Sequence, residues 1–159
     1  MENHQPKMAF NVLRIIHWAL AVAPTAFAVV VYIQINQGNI SPIMTDQIIL
    51  YLPVIFFTAM IPLSDLVFKS KLASDLKQDD LDLSAKLRIY QINHLIRMSL
   101  IEFSCILAVV VCFITTNIWN LVVLPLTLII FFMRSPTAFK LENELGLSQA
   151  EKTQLGESF

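Results

Sequence analysis

Charge, glycine and cysteine are all scarce in this chain of 159 residues. Charged residues make up 14% of the sequence and hydrophobic residues 56%, whereas charged residues account for about 25% of a typical globular domain. A chain this small therefore has too little polar surface for a water-soluble fold. The net charge is -1, whereas nucleic-acid-binding proteins are typically strongly basic, so this class of protein is not indicated. Two cysteines exclude a disulfide scaffold, and three glycines outside the apolar stretches provide no phosphate loop.

Long apolar stretches are what the sequence does contain. A bilayer core of about 30 Å requires about 20 apolar residues in a helix. Four stretches approach that length, at about 10–35, 47–68, 90–116 and 118–133. Helices are expected because lipid cannot satisfy backbone polar groups. The sequence thus predicts an all-α fold, with a four-helix transmembrane bundle in residues 1–134 and a cytoplasmic helical tail in 135–159.

The basic residues are distributed unevenly along the chain. None of the eleven lysines and arginines lies in the connection between the first two stretches or between the last two. Because basic residues concentrate in cytoplasmic segments, both termini and the middle loop are predicted to be cytoplasmic. The sequence therefore indicates a multi-pass protein of the bacterial inner (plasma) membrane, with the lipid bilayer as a partner and no nucleic acid.

Short matches suggest that the bundle consists of two tandem helical hairpins. The run AVVV at 28–31 recurs at 108–111, and the Leu-Pro pair at 52–53 recurs at 124–125. Both halves would begin in the cytoplasm, which is the arrangement of a parallel internal repeat. Chance similarity between apolar sequences is the alternative to an internal duplication.

Small residues predict how the helices pack. Ala19 and Ala23 in the first stretch, like Ser104 and Ala108 in the third, are four residues apart. Small residues at this spacing let helix backbones approach closely in lipid. The first and third stretches are therefore expected to pack together at the centre of the bundle.

The segments between and after the stretches carry helix signals. Leucines at 72, 76, 83 and 87 have the spacing of short amphipathic helices on the inner membrane surface. In the tail, residues 135–137 are predicted to open a helix that stops at Gly146. Ser148 and Glu151 then predict the capping box of a second helix.

Five ionisable residues within or beside the apolar stretches are candidates for a site, since charge in a membrane helix is costly. They are Glu102, His17, Arg14, Arg97 and Asp65. Glu102 would lie roughly 10 Å deep, with His17 the first candidate for its partner and Arg14 the second. Alternatively, a protonated Glu102 bonds a carbonyl. The cluster is either a polar clasp that fixes helix register or a proton- or cation-binding site.

No set of ligands for a metal or cofactor emerges. His17 and His94 approach the membrane from the same side, as a haem site would require. If Arg14 and Arg97 share a level, however, the two histidines are about 9 Å apart along the bundle. Asp79, Asp80 and Asp82 lack the glycine turn and the distal glutamate of a calcium loop. The sequence therefore predicts no cofactor and no metal.

Two sets of sequence motifs each resemble a known protein family. The run LRIIHWAL at 13–20, RMSLIE at 97–102 and the tail residues 134–137 and 144–148 resemble a family of small, uncharacterised bacterial four-helix membrane proteins. That resemblance implies the architecture and no activity. Separately, residues 100–102 and 106–110 resemble the carboxylate helix of rotary ATPase proteolipid (c-type) subunits, which implies that Glu102 carries an ion. The glycine-rich helix of that second family has no counterpart here.

Catalytic motifs are missing from the sequence, which favours a non-enzymatic role. We expect a membrane subunit or scaffold that forms homo-oligomers or joins other membrane subunits. The alternative is a small proton or cation transporter or channel that uses Glu102 with His17.

Overall fold

The computed structural model describes residues 5–44, 47–77 and 81–156, and within these ranges it contains helices and no strands. The long helices are α1 (Gln5–Asn36), α2 (Gln47–Asp75) and α3 (Leu83–Thr115). A 3-10 turn, Ile118–Val122, leads into α4 (Val123–Met133), which is followed by the short tail helices α5 (Ala138–Leu145) and α6 (Gln149–Gly156). The predicted all-α class is confirmed. Asp79 and Asp80 lie outside the described residues.

Three helices are long and apolar enough to cross a membrane, and they contain the candidate spans Phe10–Asn36, Gln47–Asp75 and Leu83–Thr115. A fourth span is counted only if Ile118–Met133 and Ala138–Leu145, which are bent by 74° at their junction, are taken together. The chain therefore has three to four apolar helices of spanning length, as a membrane protein does.

The central helix is α3, which contacts α1, α2 and α4. The predicted packing of the first and third stretches is confirmed, because Ala21 of α1 lies against Met98 and Ile101 of α3. The predicted small-residue contact is wrong for α1, where Ala19 and Ala23 are exposed. The buried face of α1 instead follows residues 13, 17, 21, 24, 28 and 31, a spacing of three and four that excludes positions 19 and 23.

The two hairpins predicted from the sequence are not packed as separate pairs. Among the described residues, α2 packs mainly against α3, and α1 makes its main contacts with α3 and α4. The central helix therefore lies between the first two helices, and the internal duplication remains a prediction.

The leucines predicted to form separate surface helices belong to the long helices. Leu72 lies in the last turn of α2, and Leu83 and Leu87 lie in the first turns of α3. Leu76 follows in the turn after α2. The prediction of separate helices is wrong because nothing interrupts α2 or α3 where the apolar stretches end, and the leucines pack into a common core with the tail.

That core defines a region that we call the cap, at the end of the bundle that carries the tail. The cap consists of α1 up to Leu13, α2 from Phe68, α3 up to Tyr90, and the tail helices α5 and α6. Its buried apolar residues are Phe10, Leu13, Phe68, Leu72, Leu83, Leu87, Tyr90, Leu141, Leu145 and Leu147. At about 1.5 Å per residue, the 33 residues of α3 measure about 50 Å. This length allows α3 to cross a bilayer of about 30 Å and still contribute to the cap.

Helix α5 begins and ends, and helix α6 begins, where the sequence predicts. The side chain of Thr137 accepts a hydrogen bond at the start of α5, and Gly146 ends this helix in the left-handed conformation with φ +59°. The Ser148 amide and hydroxyl donate to Glu151 at 2.8 and 2.7 Å, which forms the predicted capping box. Asp82 caps the start of α3 by accepting from the Ala85 amide.

Candidate functional site

A band of polar side chains separates the cap from the rest of the bundle, which we call the body. The outward surface of α2 changes at this level from exposed apolar residues, such as Leu63 and Leu66, to Lys69, Ser70 and Lys71. We call this band the polar layer. Its members come from α1, α2, α3 and the end of α4, and they are His17, Ser64, Asp65, His94, Arg97 and Arg134.

Asp65 joins three helices through two arginines. Its Oδ1 accepts from Arg97 Nη2 at 2.5 Å and from Nε at 2.8 Å. Its Oδ2 accepts from Arg134 Nη2 at 2.6 Å, while Arg134 Nη1 donates to the Ser64 hydroxyl at 2.9 Å. The Arg97 guanidinium also lies over the Phe68 ring, 4.7 Å from its centroid, a favourable position for a cation. Asp65 thereby connects α2, α3 and the end of α4.

A second carboxylate connects this group to the tail. Glu144 of α5 lies with Oε1 3.7 Å from Arg97 Nη1, and its side chain interacts with that of Tyr90. Two arginines therefore face two carboxylates, and the formal charges of the four groups cancel. The cancellation explains why these charges can be half-buried together, since a buried charge without a partner is costly.

The two histidines are in direct contact. His17 of α1 and His94 of α3 are both fully buried, with Nδ1 of His17 3.1 Å from Nε2 of His94. His17 Nε2 lies 3.0 Å from the Phe131 carbonyl oxygen on α4. Because a carbonyl oxygen only accepts, Nε2 of a neutral His17 carries the proton and donates it. His17 Nδ1 then accepts from the Nε2–H of His94, so the pair fixes both tautomers and connects three helices.

This contact corrects the predicted offset between the histidines. Arg14 and Arg97 do not share a level; His17 and His94 do. The register of α1 against α3 is set by the core contacts of Leu13 and Ala21, which sequence spacing alone does not reveal. Tyr90 lies one turn before His94, and the rings of the two residues are stacked, with centroids 5.7 Å apart and planes 16° apart. Tyr90 therefore covers the histidine pair on the side that faces the cap.

Two of the five predicted site residues lie apart from the layer. Arg14 is exposed on α1, and Glu102 is half-buried on α3. No hydrogen bond or ion pair holds Glu102 within the part of the chain that the structure describes. It lies eight residues beyond His94, or about 12 Å along the helix. The predicted partner His17 is thus wrong, because it bonds to His94 and Phe131, and Arg14 is farther away still. Asp65 and Arg97 are brought together as members of the same cluster.

The described residues form no cluster suited to a metal ion. No group of three His, Cys, Asp or Glu side chains converges in residues 5–44, 47–77 and 81–156. A groove of about 470 Å³ between α2 and α5 reaches Arg97 and Glu144, and a groove of about 520 Å³ runs along α3 beside Ser99. The first groove is lined by the polar side chains of Lys69, Arg97, Asn143 and Glu144, of which Arg97 and Glu144 face each other. The second has apolar lining residues apart from Ser99.

Comparisons with family models, with curated proteins and with solved structures found no match to this chain. The two family resemblances drawn from its motifs therefore remain predictions.

Three members of the layer were not among the predicted site residues: Ser64, His94 and Arg134. From the sequence, Arg134 is one of the basic residues that indicate orientation, and its position directly after the last apolar stretch is the signal for its role in the layer. The assumed offset from His17 excludes His94 from the predicted set. The Phe131 carbonyl carries no sequence signal, since every residue has one.

Proposed function

We propose that the chain is a non-enzymatic membrane subunit or scaffold that spans the bacterial inner membrane four times and assembles with further copies or other membrane subunits. The observation that carries this proposal is the internal pairing of the polar layer. The Asp65 carboxylate bonds to both guanidinium groups, and the two imidazoles bond to each other and, through His17, to a backbone carbonyl. Groups used in this way fix helix positions and leave no obvious catalytic set.

The cap supports the same proposal. Its ten buried apolar residues form a core separate from those of the body, while Lys69, Lys71 and Arg88 are exposed on its surface. A folded helical cap with a basic outer surface is suited to presenting a fixed surface to other proteins. Its exposed lysines and arginines also support the proposed orientation, with both termini and the cap in the cytoplasm.

The fourth span in this proposal is Ile118–Met133. Its exposed residues are apolar, as in Ile129, Phe132 and Met133, and Arg134 ends it at the polar layer. The 74° bend after Met133 turns α5 into the cap. Between the turn after α3 and the polar layer, this short span would cross the bilayer by tilting little or by thinning it locally.

The test is recovery of the tagged full-length chain from native membranes in a mild detergent. We expect a complex that contains either a stoichiometric second subunit or a multiple of the 18.0 kDa chain. Charge reversal on the cap surface, Lys71→Glu with Arg88→Glu, should release a cap-bound partner, whereas Ile55→Ala on the exposed face of α2 should not. Recovery of a monomer alone, under conditions that preserve known complexes, would refute the proposal.

A small proton or cation transporter or channel is the second candidate. The observation in its favour is the carboxylate of Glu102, which lies in the apolar part of α3 without a partner among the described residues. The test is ion or proton flux into proteoliposomes, with Glu102→Gln as the control. Robust flux that is lost in the variant would favour transport over the scaffold role.

A further inference from the structure

One face of α3 combines regular spacing with exposure in the body of the bundle. Leu95, Ser99, Glu102, Ile106 and Phe113 are separated by four, three, four and seven residues, the spacing of a helix–helix seam. Ser99, Ile106 and Phe113 are exposed, and Leu95 and Glu102 are half-buried. We call these five residues the α3 stripe. Ser99 is small enough to let another helix approach closely.

Glu102 is the member of the α3 stripe that requires an explanation. Its side chain has no hydrogen bond or ion pair in the described residues, and the stripe residues on either side, Ser99 and Ile106, offer one hydroxyl and no charge. A carboxyl group facing lipid without a hydrogen-bond partner is costly, as an ion or as an acid. The exposed apolar surface around it predicts lipid or protein as its neighbour, and of these two only protein provides a partner for hydrogen bonds.

Depth restricts the identity of that partner. In copies that share one membrane and one orientation, side chains meet only when they lie at the same depth. Arg14 lies three residues before His17, whereas Glu102 lies eight residues beyond His94, and the two histidines are in contact. The resulting separation of about 16 Å exceeds the reach of the two side chains. Arg97 lies five residues before Glu102 on α3, about 7.5 Å away in depth and about 140° around the helix from it. Both arginines of the polar layer are bonded to Asp65.

A second Glu102 lies at the same depth by symmetry. Two carboxylic acids can bond reciprocally, with each O–H donating to the carbonyl oxygen of the other. A two-fold axis along the membrane normal brings identical stripes together and makes such an interface self-complementary.

We propose that a second copy of this chain packs on the α3 stripe, with the two Glu102 side chains hydrogen-bonded to each other as carboxylic acids. This inference rests on the proposed assembly function and specifies the surface that one assembly would use. The interface pairs Ser99 and Ile106 with their own copies on either side of Glu102.

The first experiment locates the interface by cysteine cross-linking of the full-length chain in membranes. Ser99→Cys and Ile106→Cys should form dimers on oxidation. The matched control is Ile55→Cys, which is exposed on α2 and lies about as far from the polar layer as Ile106. Native Cys105 and Cys112 are buried and provide the background. Equal cross-linking at position 55, or none at 99 and 106, would overturn the proposal.

The second experiment tests the carboxyl pair through the dimer fraction in liposomes, measured by single-molecule photobleaching at dilute protein-to-lipid ratios. Glu102→Gln retains donor and acceptor and should leave the dimer fraction within twofold of the unsubstituted chain. Glu102→Leu removes both and should lower it at least fivefold. An unchanged dimer fraction in Glu102→Leu would refute the carboxyl pair, as would a Glu102→Gln chain that is monomeric yet folded by circular dichroism.

The outcomes also separate this inference from the proposed function. A chain that is monomeric in liposomes but recovered with a different subunit from native membranes would overturn the Glu102 interface and leave the scaffold role supported. If the chain were monomeric in liposomes and were also recovered from native membranes as a monomer alone, both proposals would be refuted.

Discussion

The cap and the body are built from the same helices but are stabilised in different ways. The cap has a dense apolar core with a polar surface, as in water-soluble helical proteins. The body has three smaller clusters of buried residues and a surface of exposed Ile, Val, Leu and Phe side chains. The difference is the one expected of a continuous helix that passes from water into lipid, because its outward residues change from polar to apolar while its inward residues stay apolar.

The polar layer lies where the two regions meet, and this position explains its composition. In a bilayer, the hydrophobic effect would not drive the helices of the body together, since lipid is as apolar as the side chains. Directional bonds then contribute more to fixing register, and His17, Asp65 and Arg97 supply them at the level where that change occurs. If this comparison holds, substitutions in the layer should affect both regions, whereas substitutions in the cap should affect the cap alone.

Asp65→Asn should have the largest effect. It leaves Arg97 and Arg134 facing each other without their shared carboxylate, and loss of one member of a half-buried charge network costs about 3 kcal/mol or more. Unfolding of both regions should shift together in a denaturant titration in detergent. The control replaces Asp65, Arg97 and Arg134 together by leucine or methionine, which should recover much of the loss. A free energy of unfolding unchanged in Asp65→Asn would show that the layer does not hold the helices.

Leu141→Ala should destabilise the cap without affecting the body. Leu141 of α5 is fully buried against the ends of the long helices. Truncation of a buried leucine lowers the free energy of unfolding by about 2–5 kcal/mol. Hydrogen exchange should increase in α5 and α6, while α1 and α3 stay protected beyond the polar layer. Leu128→Ala on the exposed face of α4 is the matched control. Faster exchange throughout the body would mean that the two regions form one cooperative unit.

His17→Leu should have a smaller effect that spreads across α1, α3 and α4. The substitution leaves the Phe131 carbonyl and the His94 donor without partners, at about 1–3 kcal/mol for each unsatisfied group. His94→Leu leaves only His17 Nδ1 unpaired and should cost less. Nitrogen NMR of labelled histidines should show protonated Nε2 on both rings. A His17 protonated only at Nδ1 would contradict the contact with Phe131.

The histidine pair also shows which features of the structure could and could not be predicted from the sequence. Apolar stretches and capping motifs predicted the helical class and the tail, because both of those signals are local. Asp65 and Arg97 were predicted as members of the cluster, since charges near a membrane require partners wherever these lie. The contact of His17 with His94 depends on the register of α1 against α3, which follows from the packing of residues distant in sequence. The choice between His94 and Glu102 as the partner of His17 could not be made without that register.

Acid should loosen the junction of α6 with the cap, with the smallest effect of the four. Glu151 bonds to Lys86 at 2.7 Å and to the Ser148 amide, and these bonds lower the pKa of its carboxyl group to about 2. A carboxylate with a lowered pKa stabilises the fold above its unfolded pKa of 4.5. This contribution is lost as the pH falls from about 4.5 to about 2. Because the pair is near the surface, the stabilisation should be at most about 1 kcal/mol.

Limited proteolysis at the α5–α6 connection, with an acid-active protease, measures this loss. Cleavage should accelerate as the pH falls through that range, and Glu151→Gln should cleave rapidly at every pH in it. Asp82→Asn is the control: its cap lies at the start of α3 and does not bond to α6, so its cleavage should keep the pH dependence of the unsubstituted chain. If Glu151→Gln retained that dependence as well, another carboxyl group in the cap would be responsible.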